Sequence, residues 1–362
     1  MHKGILADDI RRVNRYFEIH FIYVYSFIQV YKCCANNEFI FIYEIHVKEY
    51  NYTVRGGFYN LCLSIMKGDR IMAYPLVEGN IGKYCTLNGE KVAFDSPDGS
   101  RLFVPTEEIT YYESVRFQQG ILLFWEDHME RLKKSVSAKE DFPIEPDTYH
   151  FAAQSMIWDS GMSDGNVRIV ITKSLWLVYL SNMTYPTDEM YKNGIVTTNL
   201  QWERVEPHVK VFRGDYKKAV AEASSRETQF GMPYEVILSG KDGKLVEGGR
   251  SNFFVLYKDT VYSPSEDLIL IGITRKYVKD AITEAGLTLE EGSFTMEELV
   301  RMETEEDDGP PKLALFVTSS PFDILPVHSV EDQEFRSAEC PKLVKLMESY
   351  QKIVHRYIEL HK

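Results

Sequence analysis

Cysteine is scarce in this chain. The five present among 362 residues, Cys33, Cys34, Cys62, Cys85 and Cys340, are odd in number and scattered, with no C-x-x-C spacing. That pattern speaks against a disulfide framework or a zinc site, so no metal is expected, and it suits a reducing cytoplasm. Basic charge is also in short supply. Lys and Arg number 41 against 54 Asp and Glu, for a net charge of −13 and a pI near 5.3, which argues against a nucleic-acid partner. Long uncharged apolar runs are missing too. The most apolar stretch, from Tyr16 onward, is interrupted by Glu18, His20, Gln29 and Lys32 before it could span a bilayer, so no membrane partner is expected. No small-residue cleavage site follows a compact apolar core, against a secretory signal. No internal repeat is visible.

What is present reads as a globular protein with ample core, at 44% apolar and 26% charged residues. The length is too great for one average domain, and two are expected. Residues 1–65 stand apart, dense in Tyr, Phe and Ile through Tyr16–Tyr31 and Phe39–Val47. Propensity allows two strands there, yet an aromatic strand pair without a partner is a sticky edge. We expect this stretch to be an atypical extension, non-native or disordered, translated in frame upstream of a start at Met66 or Met72.

From Ile71 the pattern is orderly. Tyr84–Ala93 reads as a hairpin around Asn88-Gly89, and Ile109–Phe124 as a second strand–turn–strand. Glu126–Val136 reads as a helix with Met129, Leu132 and Val136 on one face, and it makes His128 and Arg131 surface neighbours. Strands are expected at Asn166–Thr172 and Leu175–Leu180, then a polar connector with Pro186. A helix carrying Tyr216, Ala219, Val220 and Ala223 follows Lys210. Glu235–Leu238 and Phe253–Leu256 read as strands with Asp242-Gly243 as the turn between them. A helix runs from Thr274 to Gly286, a strand covers Leu313–Val317, and Pro341–His361 forms a closing helix. The acidic run Glu303–Asp308 reads as a solvated loop.

The chemistry gathers between Pro207 and Arg275. Lys210 can form an imine, Glu247 can hold a proton on a heteroaromatic nitrogen, and Thr274 at a helix start can seat a phosphate, where free N–H groups and the macrodipole favour anions. Gly248-Gly249 lets backbone approach a flat ligand. Ser319 and Ser320 add hydroxyls after a strand end, and Arg131 can add a bidentate charge to the phosphate. Singly these are N-caps, turn glycines and surface charges. Together they describe a site for pyridoxal 5'-phosphate (PLP).

The residues that carry this chemistry also carry a family resemblance. Residues 82–330 resemble class IV aminotransferases, the PLP fold-type IV family of branched-chain and D-amino-acid aminotransferases and aminodeoxychorismate lyase. The matching pieces are Tyr112–Phe117, His128–Leu132, Pro207–Lys210, Val246–Phe254, Gly272–Arg275 and Val317–Ser320 with Leu325–Val327, in the family's order. Residues 1–65 fall outside the match.

The resemblance implies that Lys210 is the Schiff-base lysine and proton shuttle, and that Glu247 pairs with the pyridinium nitrogen. It implies that Arg131, Ile273, Thr274 and Ser320 hold the phosphate, Ile273 through its backbone N–H, with Ser251, Asn252 and Ser319 completing the cofactor set. Two domains are implied, a small α+β domain at 71–182 and a larger barrel-like α/β domain at 193–345. A linker at 183–192 joins them, the end of the C-terminal helix occupies 346–362, and the cofactor lies between the domains. A cytoplasmic homodimer acting on an amino acid and a 2-oxo acid follows from the same resemblance.

Substrate choice is less legible. The Arg–His pair of D-amino-acid enzymes should follow Asn166–Lys173, where this chain has Ser174-Leu-Trp-Leu-Val-Tyr179; branched-chain enzymes carry Tyr where Asn166 stands. Arg250 either binds a carboxylate or makes a surface ion pair. Tyr112, Arg116 and Arg168 either line the substrate pocket or brace the small domain. The reading is a transaminase, with a PLP lyase or a PLP-binding but silent relative as alternatives.

Overall fold

The structure, a computed structural model, describes residues 74–204, 206–304 and 309–362, and the backbone of strands at 25–35, 38–47 and 50–55. Met66, Met72 and residues 305–308 of the acidic run lie outside the described residues. The chain divides into units at Met1–Arg70 and Ile71–Lys362. In the first unit β1 (Tyr25–Ala35), β2 (Glu38–Val47) and β3 (Tyr50–Arg55) pair antiparallel in that order. The third strand was not anticipated, although its Tyr and Thr residues suit one.

In the second unit β4 (Tyr84–Leu87) and β5 (Glu90–Ala93) form the expected hairpin. Its turn residues Asn88 and Gly89 take φ of 48° and 91°, the left-handed pair that this tight turn requires. A short helix α1 (Pro97–Arg101) precedes β6 (Tyr111–Gln118) and β7 (Ile121–Leu122). Helices α2 (Trp125–Ser137) and α3 (Pro146–Ser160) lead to β8 (Gly165–Ile171) and β9 (Trp176–Leu180). These strands make an antiparallel sheet in the order β5-β4-β9-β8-β6-β7. Burial alternates along β6. Tyr111, Glu113, Val115 and Phe117 face a core shared with Met129, Leu132 and Val136 of α2, and Tyr112, Ser114 and Arg116 face the other way.

The polar connector contains a helix that was not foreseen, α4 (Asp188–Asn193). The Thr187 hydroxyl caps it by accepting the Met190 N–H at 3.3 Å. Next come β10 (Ile195–Gln201), α5 (Gly214–Ser224), β11 (Glu235–Ser239), β12 (Leu245–Gly248), β13 (Asn252–Tyr257) and β14 (Thr260–Ser263). They are followed by α6 (Ile273–Glu284), β15 (Thr288–Glu291), α7 (Met296–Thr304), β16 (Leu313–Ser319), β17 (Asp323–Val330), β18 (Gln333–Glu334) and α8 (Pro341–Leu360). One expectation is corrected here. The Asp242-Gly243 turn joins β11 not to β13 but to β12, an unforeseen strand that carries Glu247.

The larger sheet runs β12-β11-β10-β17-β16-β13-β14-β15, and β12 also pairs with β13. That pairing closes a barrel through β10, β11, β12, β13, β16 and β17. The closing contact is Glu247 opposite Asn252. Helices α6 and α8 bury Val278, Ala281, Ile282, Leu343, Leu346 and Ile353 against Phe254 and Phe316 on the barrel's outer face. Each buried Val, Leu, Ile or Phe side chain contributes about 1.5–3 kcal/mol. Among the described residues no helix is long and apolar enough to cross a membrane.

Candidate active site

A cavity of about 1010 Å³ opens between the six-stranded sheet and the mouth of the barrel, large enough for a cofactor and a substrate. Eight Lys and Arg side chains line it against four glutamates. In a chain of net charge −13, this focuses positive potential where an anionic ligand would enter.

Lys210 lies on the segment between β10 and α5. Three ties fix that segment to helix α2 and the start of β6: the Lys210 N–H donates to Ser135 Oγ at 3.1 Å, the Phe212 N–H to the Thr110 carbonyl at 3.0 Å, and Val211 bridges Tyr111. The Lys210 ammonium stands 4.6 Å from the centre of the Tyr112 ring and has no carboxylate partner among the described residues. Burial pushes its pKa down, and Arg131 and Arg204 add to that, while Tyr112 and Glu113 oppose it. A lysine so placed is available as a neutral nucleophile and base at lower pH than a surface lysine.

Glu247 is 2% exposed. Its Oε1 accepts from Arg204 Nε, and its Oε2 from the Leu270 N–H at 3.2 Å. Burial raises its pKa; Arg204 and the Leu270 amide work to keep it ionised. Tyr216 holds Arg204 in place, with the guanidinium 4.9 Å from its ring and the Tyr216 hydroxyl donating to the Gly249 carbonyl at 2.6 Å. The apolar face expected on α5 is therefore only partly core. Ala223 is buried, but Tyr216 and Val220 look into the cavity.

Helix α6 begins at Ile273 with Gly272 as N-cap and no capping side chain, so its first N–H groups face the cavity beside Thr274. Asn252 braces the approach. Its amide donates to the Leu270 carbonyl at 2.7 Å and accepts the Gly272 N–H at 3.2 Å. A Cβ on Gly272 would fall 2.2 Å from Asn252 Oδ1, so only glycine fits there. Arg131 reaches the same place, donating to the Ile271 carbonyl at 3.2 Å. Behind it Glu113, wholly buried, accepts Arg131 Nε at 2.8 Å, Arg131 Nη2 at 2.5 Å and His128 Nδ1 at 2.7 Å. Burial favours the neutral acid, but Arg131 and His128 outweigh it and hold the Glu113 pKa at about 2. Burial also lowers the pKa of His128.

Of the residues singled out in the sequence, Tyr112, Arg131, Arg168, Lys210, Glu247, Arg250, Ser251, Asn252, Ile273, Thr274, Ser319 and Ser320 all line this cavity. Arg116 does not. It pairs with Asp323 at 3.0 Å and borders a separate cavity of about 10 Å³ behind Thr274 and Ser320. Three hydroxyl or amide groups are also more committed than expected. Ser319 donates to the Arg250 carbonyl at 3.0 Å, Ser251 to Glu235 at 2.9 Å, and Asn252 is used as described. Arg250 lies 3.5 Å from the buried Glu235 and 4.8 Å from the Tyr234 ring centre, which favours the ion-pair alternative. Sequence reasoning missed Glu113, Arg204, Tyr216, Lys217 and Glu78. Only Glu113 left a signal, a carboxylate in the apolar register of an alternating strand.

The fit to PLP rests on the donor set. Thr318, deep in the cavity, has a buried hydroxyl with no partner, α6 presents an uncapped N-terminus, and Glu247 offers a buried carboxylate. The amino-transferase class IV family model matches residues 110–330, and the chain belongs to that family. It is thus a PLP-dependent transaminase by class. D-alanine aminotransferase of Bacillus licheniformis is 25% identical over 252 residues, covering 65% of this chain and 83% of that one. Aminodeoxychorismate lyase of Bacillus subtilis is 21% identical over 256 residues, covering 66% and 84%. The solved branched-chain amino acid aminotransferase of Escherichia coli shares the fold, with a TM-score of 0.61 at 18% identity over 76% of this chain and 95% of that one.

Proposed function

We propose that the protein moves an amino group between an amino acid and a 2-oxo acid, with Lys210 carrying the proton. One observation supports this above the rest: among the described residues the Lys210 ammonium has no ion pair, in a cavity where Lys217 is paired with Glu78. Bound PLP supplies an aldehyde to accept the amino group and an electron-withdrawing ring to stabilise charge at the substrate α-carbon. The protein's own residues do the rest. Glu247, with Arg204 beside it favouring the carboxylate, would hold a proton at the ring nitrogen. Arg131, Thr274, Ser320 and the first amides of α6 would hold the phosphate. Lys210, its pKa lowered, takes the proton from the α-carbon and returns it on the far side of the transfer.

The experiment is an amino-donor screen of the PLP-loaded protein, following its visible absorbance. Loss of colour with a subset of amino acids, restored by a 2-oxo acid, is the expected result. Colour that survives every donor overturns the reading. Similarity to aminodeoxychorismate lyase favours a second reading, elimination at the same site, and release of pyruvate without any 2-oxo acceptor would mark it. We further propose that the six-stranded sheet and the barrel act as small and large domains joined through residues 183–192. The working form is a cytoplasmic homodimer, a state that sedimentation equilibrium tests.

A further inference from the structure

The wall of the cavity beyond Tyr112 carries a charge cluster that the cofactor does not use. The Glu78 carboxylate accepts the Tyr74 hydroxyl at 2.6 Å, Arg168 Nη1 at 3.3 Å and the Lys217 ammonium. Its main chain is clamped as well. The Glu78 N–H donates to the Tyr179 hydroxyl at 3.1 Å, and that hydroxyl donates to the Glu78 carbonyl at 3.3 Å. Tyr179 is wholly buried, so Glu78 is delivered to this spot by a fixed strut.

The cations are equally fixed. Phe212 stacks on Tyr112 with centroids 4.0 Å apart and planes 4° apart, and Tyr74 lies on Phe212 at 5.1 Å. Lys217 sits 4.5 Å from the Phe212 ring centre and 4.2 Å from that of Tyr74, while Lys210 sits against Tyr112. Arg168 lies 5.8 Å from the Tyr112 ring centre, and its Nε is buried with no hydrogen-bond partner among the described residues. Two cations and a spare donor thus converge a ring stack away from Lys210, and the anion that pairs with both cations among the described residues is Glu78.

We propose that Glu78 is a specificity residue: its carboxylate occupies the anion seat formed by Lys217 and Arg168, so the pocket favours substrates whose side chain lacks a second carboxylate. A monocarboxylic amino acid leaves the Glu78 contacts intact. A dicarboxylic one must displace Glu78 from two cations or bring a second negative charge beside it, and like charges at contact distance repel. The proposal rests on the transaminase reading for the identity of the ligands, not for the seat itself.

The test is calorimetric titration at neutral pH with two unreactive probes, succinate and butyrate, on the PLP-loaded protein. Glu78→Gln should bind succinate about tenfold or more tightly than wild type, with butyrate changing by less than about threefold. Adding Lys217→Met to Glu78→Gln should remove that gain. Equal gains for both probes, no gain for succinate, or a gain that survives Lys217→Met would each overturn the proposal. Should Glu78→Gln fail to fold, as judged by circular dichroism, Glu78→Asp must show a smaller gain of the same kind. Repeating the titrations on cofactor-free protein separates the two ideas. The succinate preference is measured there even if the protein proves not to be a transaminase.

Discussion

At the α6 end of the cavity polar side chains are held by main chain, whereas at the β8 end charged side chains hold one another. Asn252 and Ser319 bond to the main chain of residues 270, 272 and 250, and Glu247 to the Leu270 N–H as well as to Arg204. Lys217 and Arg168 both bond to Glu78, and Tyr74 bonds to Glu78 and Lys217. A group held by backbone is positioned by the path of the chain and stays put whether or not a ligand is present. A group held by an opposite charge can exchange that partner for a ligand of the same sign. The first plan suits a cofactor that stays, and the second suits a substrate that must come and go.

Substitutions can break or sharpen this contrast. The largest effect is expected at Lys210, which belongs to neither plan. Lys210→Ala should lower turnover by about 10³-fold or more and remove the visible band of the loaded protein, as read by steady-state rates and absorbance. Glu113→Gln comes next, because it leaves Arg131 and His128 buried against a neutral amide. It should cost about 3–5 kcal/mol in urea unfolding at pH 7.

The same variant has a pH signature. Glu113 titrates at about 2 in the folded protein against an ordinary 4.5. Its contribution is therefore complete above about 4.5 and is lost as pH falls through about 2. Unfolding measured across that window should be less pH-dependent in Glu113→Gln. A smaller effect is expected from Asn252→Ala, which strips two backbone partners at the start of α6. PLP affinity, followed by absorbance titration, should fall by about tenfold, while succinate binding is unchanged. The smallest is Arg250→Ala. Its charge is satisfied by Glu235 at a half-exposed position, so KM for any donor should change by less than about threefold.

The core of the site was legible because it is local. Glu247 with its glycines, the Gly272-Ile-Thr helix start and the Lys210 segment are each short words whose chemistry does not depend on distant residues. The charge partners were not legible, because their meeting is tertiary: Arg204 finds Glu247 from 43 residues away, and Lys217 finds Glu78 from 139. Arg116 shows how strand geometry misleads. It shares a face of β6 with Tyr112, but four residues of strand put about 13 Å between them, enough to reach a different cavity. Helix α4 was hidden by its proline. Pro186 looked like loop, yet Thr187 followed by Asp188 and Glu189 is an N-cap with an acidic first turn.

The stitching of Val211 and Phe212 to β6 has a mechanical corollary. Lys210 departs from the barrel in sequence but is moored to the opposite wall, while Glu247 closes the barrel itself. If the walls part by a hinge motion, the amine travels with one jaw and the carboxylate with the other. The distance between the amine and the carboxylate would then open with the mouth and close with it.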